Sequence, residues 1–162
     1  MEFPDKEMNI EEVREAIAAS SNESSIYIGA DSKQFTKNKV KYVCYVTVVV
    51  IHIDTLRGGK IFKSYKTERD YGSLRQRLMT EVGFAINIGY ELIDDVGVRP
   101  FQIHLDLNPD PKHKSHVVVK EATGYVLGML GFKPKLKPDA FAASSVSDRW
   151  AVKGADKRKR SS

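Results

Sequence analysis

The chain has 162 residues and a formal net charge of +5, with 41% hydrophobic and 29% charged residues. This length and composition are typical of one globular domain, and the longest largely apolar run, residues 46–51, is too short to cross a bilayer. The acidic first seven residues do not resemble a secretory signal, and the single cysteine, Cys44, cannot form an internal disulfide. We therefore expect an intracellular, cytoplasmic protein without a membrane partner.

The first half of the chain predicts one helix and three strands. Apolar residues at helical spacing predict a helix over residues 9–19 with Asn9 as its cap, followed by a polar break at 20–25. A short apolar strand over 26–30 ends at Asp31, and a polar turn follows over 31–38. Residues 40–53 and 61–65 predict two further strands joined by a glycine turn at 57–60, an antiparallel hairpin.

The second half alternates helices and strands. Helices are predicted over residues 71–94 and 115–130, the second ending at Gly131, and a sharply alternating strand over 101–107 lies between them. A short fifth strand over 133–137 and a helix over 139–152 follow. The order predicts an α/β fold: a mixed five-stranded sheet, three strands antiparallel and two joined by helical crossovers, flanked by helices. We expect an N-terminal helix and linker at 1–25, one domain at 26–152 and a basic, disordered tail at 153–162.

Four acids fall on four different predicted elements. Asp31 closes the first strand, Glu81 lies on the first long helix, Asp106 lies on the fourth strand, and Asp148 lies on the last helix. The first and fourth strands are neighbours in this order of elements, so Asp31 and Asp106 can stand side by side. Adjacent carboxylates repel one another unless a cation lies between them, and oxygen ligands are what Mg²⁺ prefers.

This set of acids, in this order, resembles the ribonuclease-H-like superfamily. The resemblance is carried by residues 28–33 (IGADSK), 104–108 (HLDLN) and 137–149 (KPDAFAASSVSDR), and it is nearest to the YkuK-like branch of bacteria and phages. It implies that Asp31, Glu81, Asp106 and Asp148 are the catalytic and metal-binding residues. Glu91 lies on the same helix as Glu81, which is preferred because it is nearer to the helix start.

The resemblance also implies a chemistry and cofactors. Two divalent ions, Mg²⁺ or Mn²⁺, would support endonucleolytic hydrolysis of a nucleic-acid phosphodiester, leaving a 5′ phosphate. The basic balance favours a polyanionic partner. Lys33, two residues after Asp31, and the loop residues Lys112, His113 and Lys114 are candidate substrate contacts; solvated side chains are the alternative for each.

Several functions remain open at this point. Cleavage of RNA in an RNA/DNA hybrid and cleavage of branched DNA, such as a Holliday junction, are equally compatible, and the second implies a homodimer. Proofreading exonucleases are disfavoured because residues 31–33 lack the Asp-x-Glu motif. A nucleic-acid-binding module that kept the fold and lost turnover is the alternative from another class. The glycine-rich phosphate loops of an actin-like ATPase are not found in this sequence.

Overall fold

The fold is described from a computed structural model over residues 4–53, 58–137 and 139–140. It contains three α-helices, a short 3-10 helix over Lys114–Val118, and four strands. The helices are α1 (Ile10–Ala19), α2 (Leu74–Val96) and α3 (Val119–Leu130); the strands are β1 (Ser25–Lys37), β2 (Val40–His52), β3 (Gly59–Arg69) and β4 (Phe101–Leu105). Across these residues no helix is long and apolar enough to span a membrane.

The strands form one mixed sheet in the order β3-β2-β1-β4. β1 pairs antiparallel with β2, β2 pairs antiparallel with β3, and β4 lies parallel to β1 on its other side. The predicted mixed α/β sheet and the adjacency of the first and fourth strands are therefore confirmed. The α2 crossover carries the chain from one edge of the sheet to the other, which the parallel β1–β4 pairing requires.

The five predicted strands are not confirmed, since the described residues contain four. The predicted fifth strand contributes a single parallel bridge, His104 to Lys135. Its backbone still follows β4: Leu105 N donates to Lys135 O at 2.9 Å and Lys137 N donates to Leu107 O at 3.0 Å. Two prolines among residues 134–138 remove donors that a longer ladder would need. The predicted last helix, 139–152, lies outside the described residues except for 139 and 140.

β1 is longer than its apolar residues predict. The strand does not end at Asp31 but runs to Lys37, and residues 31–37 continue the antiparallel pairing with β2. A tight turn at Asn38 and Lys39, both with positive φ (52° and 65°), returns the chain. This end of the hairpin is largely exposed, so its polar composition concealed the strand. Asp31 therefore lies in mid-strand, where its backbone is fixed on the β2 side.

The helices cover one face of the sheet and enclose the core. Ile26 and Ile28 of β1 and Ile103 of β4 are fully buried beneath Ile86 of α2. α1 belongs to the same core through Val13 and Ile17, which are 0% and 1% exposed. α2 begins after Ser73, whose side chain caps it by accepting from Gln76 N, and α3 ends at the predicted Gly131 in the left-handed conformation.

Candidate functional site

Asp31 and Asp106 occupy neighbouring positions on adjacent parallel strands. Ala30 of β1 and Leu105 of β4 are the last residues that pair with each other. Asp31 and Asp106 directly follow them. Ala30, Leu105 and Leu107 are buried in the helix-covered core. Because side chains alternate across a strand, both aspartates project from the opposite face of the sheet. Two half-buried carboxylates therefore stand beside each other where β4 ends.

Glu81 reaches the same edge of the sheet from the helical layer. It lies on α2 and is 6% exposed, so its carboxylate is almost wholly removed from solvent. Ser32, the residue after Asp31, projects to the helix side and its Oγ donates to Glu81 Oε2 at 2.5 Å. Asp31 Oδ1 in turn accepts from Ser32 N at 2.8 Å. Ser32 thus links two acids that approach the strand from opposite faces.

The three acids are electrostatically coupled. Burial is the main cause that raises the pKa of Glu81 to about 8, and repulsion from Asp31 and Asp106 adds to it, while the Ser32 hydrogen bond opposes it. Burial and the neighbouring Asp106 also raise the pKa of Asp31 above its usual value. The protein thus holds Asp31 and Glu81 where burial disfavours their ionised forms, and shifted pKa values of this kind are concentrated at functional sites.

One cation of the chain itself contacts this group. Lys137 Nζ lies 2.6 Å from Asp106 Oδ1, with side-chain exposures of 48% and 39%. The hydrogen bond to Asp106, together with attraction from Asp31 and Glu81, raises the pKa of Lys137. In the sequence, Lys137 is the last residue of the predicted fifth strand, and no pattern there predicts a functional role for it. A lysine beside a proline carries no local signal for such a contact.

The carboxylate oxygens of these acids fit a hard divalent cation, but the described residues do not provide a complete set of ligands. Asp31 and Asp106 supply adjacent carboxylate oxygens of the kind that Mg²⁺ prefers. Within residues 4–53, 58–137 and 139–140, however, no three His, Cys, Asp or Glu side chains converge closely enough to hold a metal ion. Glu81 is engaged with Ser32 on the other face, and the fourth predicted ligand, Asp148, lies outside the described residues. The site is therefore described as a pair of carboxylates with a third one alongside.

The predicted substrate contacts fall in two places. Lys33 is exposed on β1, two residues past Asp31, and its charge lowers the pKa of that aspartate. Lys112, His113 and Lys114 are exposed in the loop and at the 3-10 helix that follow β4. That loop is held by Ser115, whose Oγ accepts from Asn108 N at 2.9 Å. Lys33 thus lies beside Asp31, and among the described residues no contact joins the other three to Asp31, Glu81 or Asp106.

Two further residues on these elements make other contacts. Glu91, the alternative to Glu81, is ion-paired with Arg14 of α1 at 3.1 Å, on a part of α2 remote in sequence from Glu81. His104 is 2% exposed and hydrogen-bonded to Gln102, and its ring stacks on Tyr27 at 5.1 Å between centroids. His104 shares a sheet face with Asp106.

A polar cleft lies between β3 and the start of α2. It has a volume of about 410 Å³, and its charged lining residues are Lys66, Glu68, Arg69, Asp70 and Arg77. Arg77 lies one helical turn before Glu81 and lowers the pKa of that acid. The Nε of Arg77 and Oγ1 of Thr67 are buried without a hydrogen-bond partner among the described residues. The sequence analysis did not identify this cleft, because its residues come from three separate elements.

The fold and these acids define a class. A mixed sheet with a parallel β1–β4 pair, carrying adjacent carboxylates at the end of β4 and a third on the helix that precedes β4, is the arrangement expected for a ribonuclease-H-like domain. Comparison of sequences agrees: the family profile described as Ribonuclease H-like matches residues 8–152. The chain belongs to that family. It is also 22% identical over 138 residues to the Bacillus subtilis (strain 168) protein described as "Uncharacterized protein YkuK", covering 76% of each chain. No solved structure matches this chain.

Proposed function

We propose that this protein is a metal-dependent nuclease that hydrolyses phosphodiesters of nucleic acid. The observation that carries the proposal is the pair Asp31 and Asp106, held next to each other by the β1–β4 register with Glu81 buried alongside. Adjacent carboxylates repel one another and a polyanionic substrate, so they would only weaken binding unless they hold a cation. The family to which the chain belongs supports the same chemistry.

Asp31 and Asp106 would hold Mg²⁺ or Mn²⁺, with Glu81 and Asp148 completing the set for one or two ions. Such ions supply an activated water and stabilise charge on the leaving oxygen. Pairing with Val46 of β2 fixes the backbone of Asp31, and the backbone hydrogen bonds of Leu105 and Leu107 to residues 135 and 137 flank Asp106, so little reorganisation is needed to present their oxygens. Ser32 holds Glu81 toward the strand, and burial keeps bulk water from that carboxylate.

Nucleic acid would be held by cationic side chains on both sides of the acids. Lys33 lies on β1 close to Asp31, and the cleft between β3 and α2 offers Lys66, Arg69 and Arg77. Cationic side chains bind phosphates through charge and counterion release, without regard to sequence. Lys112, His113 and Lys114 extend the basic surface from the loop after β4. This distribution fits a substrate with more than one strand, such as an RNA/DNA hybrid or branched DNA.

The test is a Mg²⁺ and Mn²⁺ titration with three end-labelled substrates: an RNA/DNA hybrid, a DNA duplex and a four-way junction. We expect ion-dependent cleavage of at least one of them and 5′-phosphate products. Asp31→Asn should abolish cleavage and leave binding of the substrate intact, because it removes a metal ligand and retains the shape. Asp95→Asn, an aspartate at the far end of α2, is the matched control and should cleave as the wild type does. Cleavage that survives in Asp31→Asn would contradict the site.

A second candidate is a nucleic-acid-binding module without turnover. The ion pair between Lys137 and Asp106 favours it, since it partly neutralises the acids without a metal. A pure binder would retain affinity for the three substrates, show no cleavage with either ion, and lose no affinity in Asp31→Asn. The same titration therefore separates the two functions.

A further inference from the structure

The backbone of Lys137 is held by hydrogen bonds, and its charged side chain is half-exposed. Its backbone N donates to Leu107 O at 3.0 Å, and the next turn is closed by Asp139 N and Ala140 N, which donate to Leu136 O at 2.8 and 2.9 Å. Its side chain is 48% exposed and rests on Asp106 through the ammonium alone. A lysine side chain is a flexible stem with a compact charge, so the ammonium can leave Asp106 while its Cα stays in place.

The position of that ammonium matters because of what surrounds Asp106. Asp31 and Glu81 also attract Lys137, so its ammonium interacts with all three of the described acids. Asp106 Oδ1 accepts the ammonium at 2.6 Å, and Asp106 is one of the proposed ligands of the divalent ion. A divalent ion bound to this carboxylate would repel an ammonium held so close to it. The ion and Lys137 would therefore compete for Asp106.

We propose that Lys137 is a positioning residue that competes with the divalent ion for Asp106 and, when displaced, binds a phosphate of the nucleic acid. The inference rests on the proposed function, since it assumes that Asp106 is a metal ligand. It assigns to one side chain two successive partners, an internal carboxylate and then the substrate. Ion binding would thereby strengthen substrate binding, and the substrate would in turn strengthen ion binding, because such coupling is reciprocal.

The neighbouring Lys135 supplies a matched control. It lies on the same segment, two residues away, and is exposed. Its backbone makes the bridge to β4, and its charge acts on His104 rather than on the acids. Lys135→Met therefore removes an equal charge from the same surface without releasing Asp106. Lys137→Arg keeps the charge at the tested position.

The first measurement is the affinity of the full chain for Mn²⁺ by isothermal titration calorimetry. We expect Lys137→Met to bind the ion about three- to tenfold more tightly than the wild type, because a half-exposed ammonium no longer competes with the ion for Asp106. Lys137→Arg and Lys135→Met should bind Mn²⁺ with the wild-type affinity to within about twofold, because a change at one exposed charge has an effect of this size. Lys137→Gln, which keeps a polar side chain, replaces the Met variant if circular dichroism shows that the latter is unfolded.

The second measurement is binding of a labelled RNA/DNA hybrid by fluorescence anisotropy, with and without Ca²⁺ as a hard divalent ion. With Ca²⁺, Lys137→Met should bind more weakly than the wild type, and its salt slope should be smaller by about 1, as for the loss of one phosphate contact. Without divalent ion the two proteins should bind alike.

The outcomes separate this inference from the proposed function. Failure of the wild type to bind Mn²⁺ would contradict the proposed function and, with it, the inference. Mn²⁺ binding that is equal or weaker in Lys137→Met would overturn the competition alone and leave the nuclease proposal in place. A loss of hybrid affinity that is the same with and without Ca²⁺, or the same in Lys135→Met, would overturn the release of Lys137 toward the phosphate.

Discussion

The two ends of α2 both carry acids close to a basic side chain, and they differ in almost every physical respect. Near its C-terminal end, Glu91 and Asp95 meet Arg14 of α1, which also contacts Glu11. The carboxylates of Glu91 and Asp95 are 55% and 31% exposed. Near its start, Glu81 is 6% exposed and lies with Asp31 and Asp106 beside one lysine.

The difference separates an acid paired at the surface from one held in the interior. At the C-terminal end a guanidinium with several donors contacts each carboxylate directly, and solvent screens the charge that remains. Beside Glu81 the ammonium of Lys137 contacts Asp106, and burial raises the pKa of Asp31 and of Glu81. The first arrangement pairs its carboxylates directly with a cation. The second disfavours the ionised form of two carboxylates, and this is the group to which we assign the proposed metal site.

The most direct test of this difference replaces one glutamate at each end of α2 with glutamine. Glu81→Gln should lower cleavage roughly a hundredfold or more, since the amide cannot serve as an anionic ligand of the ion. Glu91→Gln, on the same helix and with the same chemical change, should cleave as the wild type does. Initial rates on the preferred substrate at saturating Mg²⁺ measure both. Equal losses in the two variants would mean that Glu81 acts only through the fold.

The pH dependence of stability is a second test of the difference between Glu81 and Glu91. Glu81 has a pKa of about 8 in the folded chain and 4.5 as its reference value, so between these limits the folded state binds the extra proton. Stability is therefore fully present below pH ~4.5 and lost as the pH rises toward about 8, by on the order of 2–4 kcal/mol. Urea denaturation in EDTA from pH 5 to 8.5 measures it.

Glu81→Gln should flatten that alkaline decline, because the amide does not titrate. Glu91→Gln should leave the decline unchanged. Added Mg²⁺ should restore stability most at the upper end of the range, where the carboxylate is ionised. A decline that persists in Glu81→Gln would show that another group causes it.

Much of this contrast could be predicted from the sequence, since it depends on element order. The period of apolar residues gave α2 and β4, and the order of elements made β1 and β4 neighbours, so Asp31 and Asp106 were expected side by side. The cap Asn9 and the stop at Gly131 follow from local chemistry alone, and the structure confirms both. The preference for Glu81 over Glu91 agrees with the burial of the first and the Arg14 pairing of the second.

What the sequence could not predict depends on contacts between distant residues or on exposed strands. Residues 31–37 have no buried apolar alternation, so only pairing with β2 reveals the strand. The link from Ser32 to Glu81 spans 49 residues, and the ion pair of Lys137 with Asp106 depends on where an irregular segment lies beside β4. No periodicity encodes either contact. The predicted five strands failed for the same reason, because a segment with prolines can follow a strand and make only one bridge.

A smaller effect is expected on the acidic side of the stability profile, from the face of the sheet that bears Asp106. Burial lowers the pKa of His104 from 6.5 to about 4, and Lys135 adds to the shift. Between these values the unfolded chain binds a proton that the folded chain does not, so stability falls as the pH drops from about 6.5 to 4, by roughly 1–3 kcal/mol. His104→Phe, which keeps a ring against Tyr27, should remove this decline in urea denaturation at pH 4 to 6.5. Glu81→Gln should retain it, and a decline that is unaltered in His104→Phe would assign it to the carboxylates.

The smallest effect should come from the C-terminal end of α2. Arg14→Met removes all three ion pairs to Glu11, Glu91 and Asp95 and keeps much of the apolar stem. Because these pairs are exposed and screened, the melting temperature should fall by less than about 4 °C, and 0.5 M salt should shrink the difference further. Mn²⁺ affinity and cleavage should not change. A large loss of either in Arg14→Met would mean that the two ends of α2 are coupled through the helix, and that the separation of structural from functional acids does not hold.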